Sequence, residues 1–275
     1  MADYKTVSSE ARIFRYCLHQ GLQIALSAKS IWIAGIVIAF TFYTDMELTR
    51  KFGQANSWDV ILYGILNHSV IQLFLFLPVY LLYVYSICHD GPIRPSLLIR
   101  LRTKRSWIWS KVIMIFVSGL VFTVLYVGTI TLIAFLLKGY DPSWSQAVLE
   151  DDTNFLYAQY LSPVEAWLLT SCKHVVSTWV VGSIYLALYT GMGRTRHTVA
   201  MLIVMITLLA NYMFHMSVFM TYLPYLYLNS EYIRYFTESS ELFPFAWNYH
   251  LGNVCMIGIA LFIIVVREKS LKLGE

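Results

Sequence analysis

Charged residues are scarce in this chain of 275 residues, of which 13% are charged and 58% are hydrophobic. Soluble globular domains average about 25% charged residues, and a water-soluble fold could not bury this much apolar surface. The charged residues also fall in short clusters that separate long apolar stretches. Both observations predict an all-α membrane protein and exclude an ordinary soluble domain.

Acidic residues are missing from the central parts of these apolar stretches. Proton- and sodium-coupled carriers and many intramembrane enzymes place carboxylates there, because ion binding and acid/base chemistry need them. Their absence argues against ion-coupled transport. We also expect no catalytic residues in this chain.

Two further absences limit the chemistry of the chain. The four cysteines are spread over different segments, so they indicate neither a disulfide framework nor a metal site. The phosphate loop G-x-x-x-x-G-K-[ST] does not occur anywhere in the sequence. We therefore expect the chain to carry no cofactor and not to hydrolyse ATP by itself.

Six apolar stretches are long enough, or nearly so, to cross a hydrocarbon core that needs roughly 20 helical residues. The N-terminus has no compact apolar region followed by a cleavage site, so the first stretch is expected to remain as a span. No repeat or low-complexity tract is visible, and residues 1–275 are predicted to form one membrane domain. The predicted spans are 25–44, 64–87, 111–137, 167–189, 198–223 and 247–266.

Lys and Arg residues indicate the orientation, because short loops rich in them stay on the cytoplasmic side. The N-terminal segment, the second and fourth loops and the C-terminus together hold fifteen of these residues. The loops on the opposite side hold four, together with most of the acidic residues. This distribution predicts that both termini are cytoplasmic.

The segment 9–28, which precedes the first span, has an amphipathic pattern. Phe14, Leu18 and Leu22 recur at helical spacing, whereas polar residues such as Arg15 lie largely away from that stripe. We predict an interfacial helix that leads into the membrane. This helix either anchors the chain on anionic lipid or docks a partner.

The loop 88–111 between the second and third spans is strongly basic. It holds six Lys or Arg residues with leucine and isoleucine residues between them. A topology determinant needs positive charge but no apolar ridge within that charge. The segment therefore either lies on lipid head groups or packs against a partner.

Polar residues inside the spans are candidates for a substrate pathway, because a polar group that faces lipid is costly. Asn211 and His215 share one face of the fifth span, and Asn67 and His68 enter the second. Hydrogen bonds between helices are the alternative explanation for both pairs.

Two other groups of span residues have a structural explanation beside the functional one. Met213, Met216 and Met220 form a soft stripe on the fifth span, which suits varied apolar ligands or simple packing. Lys173 and His174 lie near the outer end of the fourth span, where we expect them to snorkel to the interface, with an acidic loop such as Asp151–Asp152 as the alternative partner.

These features together resemble the membrane-spanning permease subunit of an ABC transporter of the ABC-2 (exporter) type. The resemblance covers nearly the whole length and rests on the amphipathic helix, the six-span pattern with cytoplasmic termini, and the basic run IRLRTKRSWIWSK at 99–111. In such permeases this loop forms a coupling helix that sits in a cleft of the ATPase subunit. The resemblance therefore implies a set of coupling residues: Leu98, Arg100, Leu101, Arg102, Lys104, Arg105 and Trp107.

The same resemblance implies the partners and the location of the chain. It implies two copies of an ABC ATPase subunit that hold ATP and Mg, a second permease subunit that is identical or related, and membrane lipid, but no nucleic acid. We expect a multi-pass protein of the bacterial plasma membrane that exports an amphipathic or hydrophobic substrate, such as an antimicrobial peptide, a lipid or a drug. A non-transporting membrane sensor or immunity protein is the alternative, since it needs only spans and a partner-binding face.

Overall fold

The computed structural model is all-helical in the residues it describes, with no strand among them. The described residues are 14–15, 18–20, 22–23, 28–53, 55–68, 71–88, 104–149, 161–192, 199–206 and 242–267. Their helices are α1 (Ala28–Phe52), π1 (Asp59–Leu66), π2 (Gln72–Phe76), α2 (Leu77–Cys88), α3 (Lys104–Lys138), α4 (Gln146–Leu149), α5 (Pro163–Met192) and α6 (Leu242–Arg267). Residues 199–206 are also helical.

Four of the six predicted apolar stretches correspond to these helices. The first, third, fourth and sixth stretches lie within α1, α3, α5 and α6 or overlap them closely. The fifth, 198–223, begins on the helical residues 199–206 and continues outside the described residues. The described residues of the predicted N-terminal helix 9–28 are helical.

Helix α3 contains a segment that can cross a membrane. Among the described residues, Ile108–Lys138 alone is long and apolar enough by length and composition, while Phe74–Cys88 and Asn253–Val266 are apolar but shorter. Only 33% of the most apolar part of Ile108–Lys138 is buried within the bundle. The core helix of a soluble protein would be mostly buried, so this helix supports membrane association of the chain.

The second predicted span, 64–87, is not one uninterrupted helix in the part of the chain that the structure describes. The helix is interrupted at Asn67 and His68, between π1 and π2. The Asn67 N–H donates to Leu62 O at 3.0 Å, and the His68 N–H donates to Ile65 O at 3.2 Å. The Asn67 N–H thus bonds the carbonyl five residues before it, whereas the His68 N–H bonds the carbonyl three residues before it. This change of hydrogen-bond spacing ends the π-helix.

Three helices cross closely around the side chain of Tyr80 on α2. The Tyr80 hydroxyl donates to Ile115 O on α3 at 3.2 Å, and Tyr80 is fully buried. A Cβ atom at Gly182 of α5 would lie 2.4 Å from Ile115 Cγ2 and 2.9 Å from Tyr80 Oη. A Cβ at Gly119 of α3 would lie 2.7 Å from Thr178 Oγ1. Both glycines therefore permit the helix spacing on which this crossing depends.

Replacement of the α5 glycine tests this packing. We expect Gly182→Ala to lower the free energy of unfolding by about 1–3 kcal/mol, because the added methyl group overpacks the crossing. Gly128→Ala on α3 is the control, since a Cβ there meets nothing within 4 Å. Thermal unfolding in detergent measures both variants, and an equal unfolding temperature for the two would contradict the packing described.

The connections before π1 and after α3 are bound to each other by hydrogen bonds. The Asn56 N–H donates to Asp59 Oδ2 at 2.8 Å, and the Asp59 N–H donates to Asn56 Oδ1 at 3.0 Å, a reciprocal pair of the capping-box kind at the start of the helical segment that begins at Ser57. The Trp58 indole N–H donates to Asp141 O, and Asn56 Nδ2 donates to Ser143 O at 2.8 Å. The two connections therefore form one polar layer at this end of the bundle.

Two carboxyl groups of this layer have pKa values shifted in opposite directions. Burial raises the pKa of Asp59 above its usual range, although hydrogen bonds from Ser145 and Asn56 oppose the shift. Hydrogen bonds from Ser143 lower the pKa of Asp141. Asp59 precedes the apolar stretch 64–87, and Asp141 follows α3, so both lie outside the predicted spans.

These shifts predict opposite pH dependences for two isosteric substitutions. A carboxyl group whose pKa is raised in the folded state binds its proton more tightly there than in the unfolded chain. Its contribution to stability is therefore full below the unfolded pKa of about 4 and is lost as pH rises through the folded-state pKa. Asp59→Asn should therefore raise the unfolding temperature relative to the native chain at pH 7, and the difference should shrink as pH falls.

Asp141→Asn is the matched control, because a lowered folded-state pKa contributes stability above the unfolded pKa that is lost as pH falls. This variant should unfold at a lower temperature than the native chain at pH 7, and the gap should close in acid. Thermal unfolding of the detergent-solubilised protein from about pH 2 to about pH 8 measures both, because the contribution of Asp141 is lost only as pH falls below its unfolded pKa of about 4. Differences that do not change with pH would refute the assignment.

Candidate functional site

A buried polar centre lies beside the interruption at Asn67 and His68. Gln72, the first residue of π2, is fully buried. Its Nε2 donates to Ile65 O at 2.8 Å, and its Oε1 lies 2.9 Å from His174 Nε2 on α5. One amide side chain thus joins the end of π1 to a helix that is 102 residues away in sequence.

The bond from Gln72 to Ile65 O follows from the interruption. A backbone carbonyl in an apolar interior needs a partner inside the protein, because no water is there to supply one. Ile65 O accepts from the His68 N–H and from Gln72 Nε2, so both of its lone pairs are used. The side chain of Gln72 therefore stabilises the interrupted backbone.

His174 is held on every side by the elements packed against it. Its Nδ1 lies 2.8 Å from Thr170 O in the preceding turn of α5. Its ring packs edge-on against Phe76 with the ring centroids 4.7 Å apart, and lies nearly parallel to Tyr126 of α3 at 6.3 Å. The imidazole thus joins π2, α3 and α5 at one point.

Hydroxyl groups with no partner lie in the same part of the helices. Thr170 Oγ1 on α5 and Thr123 Oγ1 on α3 are buried and have no hydrogen-bond partner among the described residues. A buried hydroxyl without a partner costs about 1–3 kcal/mol, so such groups mark places where water or a polar ligand atom would be stabilised. The centre around Gln72 and His174 is therefore the best candidate for polar contacts within the bundle.

The prediction that Lys173 and His174 snorkel to the interface is wrong. The two side chains are 1% and 0% exposed. Gln72 supplies inside the bundle the hydrogen bond that water would supply to His174 at the interface. The sequence analysis did not single out Gln72, although a lone amide four residues after His68 in an apolar stretch was a usable signal.

The predicted pathway residues are only partly described. Asn67 is half-buried and His68 is exposed, and both lie at the interruption, not within a continuous span. The remaining pathway predictions lie outside the described residues: Asn211, Met213, His215, Met216 and Met220.

Residues 104–111 of the predicted coupling loop, 88–111, are helical and belong to α3. Helix α2 ends at Cys88 and α3 begins at Lys104, so the positions of Lys104, Arg105 and Trp107 belong to the first two turns of α3. The other predicted coupling residues lie outside the described residues: Leu98, Arg100, Leu101 and Arg102.

The last lysine of the predicted loop does not lie on the surface. Lys111 is 1% exposed, and its Nζ donates to Ile87 O in the last turn of α2. It was counted among the cytoplasmic charges, which lie on head groups in the simplest reading of the positive-inside rule. The structure places it between α2 and α3.

No similarity to a known protein supports a function for this chain, so the functional argument rests on the geometry described above. The chain matches no protein-family model, no curated protein and no solved structure. Among the described residues, no group of three or more His, Cys, Asp or Glu side chains could hold a metal ion.

A double-mutant cycle tests the polar centre. Gln72→Leu leaves His174 Nε2 without its partner and removes one bond to Ile65 O, so we expect it to lower the free energy of unfolding by about 1–3 kcal/mol. His174→Leu should cost a similar amount. The double variant should lose less than the two single losses together, by about 0.5–3 kcal/mol, because the two side chains are partners. Strict additivity in thermal unfolding would show that they do not interact.

Proposed function

We propose that this chain is the transmembrane permease subunit of an ATP-driven ABC exporter of the ABC-2 type. It works with two copies of a separate ATPase subunit, which hold ATP and Mg, and with a second permease subunit. The chain crosses the plasma membrane six times with both termini in the cytoplasm. It contributes half of a pathway for an amphipathic or hydrophobic substrate.

The continuity between the basic loop and α3 is the observation that carries this proposal. Helix α3 runs from Lys104 to Lys138 as one unbroken helix of 35 residues, about 52 Å long at about 1.5 Å per residue. Its first two turns hold the end of the basic run, and its last turn reaches the polar layer at the other end of the bundle. A displacement at the loop is therefore carried as a rigid-body movement across the whole bundle.

The exposed face of α3 is consistent with a lipid environment. Leu120, Val124, Leu132 and Leu136 recur along one side of the helix and are 47–73% exposed. Such an uncovered apolar stripe is unfavourable in water and ordinary in a bilayer. The buried face of the same helix packs on α5, which holds the polar centre.

The polar centre is the proposed source of substrate contacts within the bundle. Discontinuous helices in transporters expose backbone groups and polar side chains near the middle of the membrane, where substrates bind. The interruption at Asn67 and His68, with Gln72 and His174 beside it, provides such groups. The surrounding aromatic rings of Phe76 and Tyr126 suit an amphipathic substrate.

An affinity pull-down from detergent-solubilised membranes tests the proposal. The native chain is compared with a variant that carries Arg100→Glu, Arg102→Glu, Lys104→Glu and Arg105→Glu. We expect an ABC ATPase subunit to copurify with the native chain and to be lost from the variant, because the reversed charges repel the surface that the loop contacts.

The control variant reverses four other predicted cytoplasmic charges: Arg194→Glu, Arg196→Glu, Lys269→Glu and Lys272→Glu. It has the same net charge as the loop variant and should retain the ATPase. Absence of any ATPase from the native chain would exclude the permease role and favour a non-transporting sensor or immunity protein. Loss of the ATPase from both variants would refute the specific role of the loop.

A further inference from the structure

Lys111 is buried, and a buried lysine needs protein groups that replace its hydrogen bonds to water. It is among the largest fully buried side chains of the described residues. Removing an ammonium group from water costs several kcal/mol unless the protein replaces the lost hydrogen bonds. A lysine that only set the topology would extend its side chain to the head groups instead.

The carbonyl end of α2 explains the position of this lysine. The last four carbonyls of a helix lack partners within the helix, and the helix dipole places partial negative charge there. Ile87 O lies in the last turn of the described part of α2, and Lys111 Nζ donates a hydrogen bond to it. The ammonium group thus bonds the last turn of α2 from the second turn of α3.

The bond closes the base of the basic loop. The chain leaves α2 at Cys88 and enters α3 at Lys104, and the contact between Ile87 and Lys111 holds these two helix ends together. Deeper in the bundle, the Tyr80 hydroxyl bonds Ile115 O, one helical turn further along α3. Helices α2 and α3 are therefore bonded to each other at two successive levels, between Ile87 and Lys111 and between Tyr80 and Ile115.

We propose that Lys111 is a positioning residue that makes α2 and α3 move as one unit when the basic loop is displaced. This inference rests on the proposed function, because it concerns the step that carries movement from the ATPase into the bundle. If the two helix ends were free of each other, displacement of the loop would spread them apart and the movement would be absorbed there. With the ends bonded, the loop transmits its displacement to both helices.

Three variants separate this role from plain stabilisation. Lys111→Met keeps the length of the side chain but removes the donor, and Lys111→Arg keeps a cationic donor. Lys138→Met is the matched control at the opposite end of the same helix, where Lys138 pairs with Asp45 at 3.0 Å and donates to Thr49 at 2.9 Å. Each variant is purified with its copurifying ATPase, and the amount of ATPase, the rate of MgATP hydrolysis per complex and the unfolding temperature are measured.

The expected result is a loss of hydrolysis without a loss of assembly. Lys111→Met should retain the ATPase, while its hydrolysis rate falls about fivefold or more, the factor that corresponds to one hydrogen bond of about 1 kcal/mol. Lys111→Arg should recover most of the rate. Lys138→Met should hydrolyse ATP at the native rate, even where its unfolding temperature is lowered as much as that of Lys111→Met.

Several results would overturn the inference. A native rate in Lys111→Met would show that the bond only stabilises the fold, and an equal loss in Lys138→Met would show a general effect of destabilisation. If Lys111→Met does not accumulate, Lys111→Gln replaces it. The glutamine side chain is shorter and uncharged, so it cannot supply a cationic donor to Ile87 O. A native rate in Lys111→Gln would have the same meaning as a native rate in Lys111→Met. If no ATPase copurifies with the native chain, the proposed function itself fails and this inference falls with it.

Discussion

Polar groups inside an apolar bundle must be satisfied by the protein itself, and the hydrogen bonds of Gln72 show how much of this structure follows from that constraint. Beside the interruption at Asn67 and His68, Ile65 O accepts from the His68 N–H and from Gln72 Nε2, so both of its lone pairs are used. Gln72 bonds Ile65 O and, with its other amide atom, His174. The same side chain thus stabilises the interrupted backbone and fixes it to α5.

Helix α3 receives a polar contact at each level of the bundle. Near its start Lys111 bonds the end of α2, and further along the Trp179 indole N–H of α5 donates to Phe116 O at 3.0 Å. Deeper still, the Trp167 indole N–H donates to Thr131 Oγ1 at 3.0 Å. Apolar contacts alone let helices slide, whereas these bonds fix the position of α3 along its axis. The proposed transmission of movement along α3 requires a helix that is fixed in this way.

The helical class and most helix positions could be predicted from the sequence, because a run of about 20 apolar residues indicates a helix without information from distant parts of the chain. The interruption of the second stretch could not be predicted in this way. The polar centre beside it pairs Gln72 with His174, which lies 102 residues away in sequence, and no local pattern records such a pairing. The prediction for Lys173 and His174 failed for the same reason, since position along a span says nothing of which neighbour the side chain meets.

The basic loop also could be predicted only in part from the sequence. Its charge and its apolar ridge are visible in the sequence and support the expectation of a partner, but the burial of Lys111 is not, because a lysine in a basic run ordinarily faces water. The number of spans, the ATPase partner and the substrate remain parts of the proposed function. They depend on assemblies that a single chain does not contain.

The proposed permease role is tested most directly by the native mass of the complex that this chain forms in mild detergent. The account predicts an assembly of two permease subunits and two ATPase subunits that stays together when isolated from native membranes. A chain that runs alone, or with itself only, at every detergent concentration that keeps it folded would contradict the account.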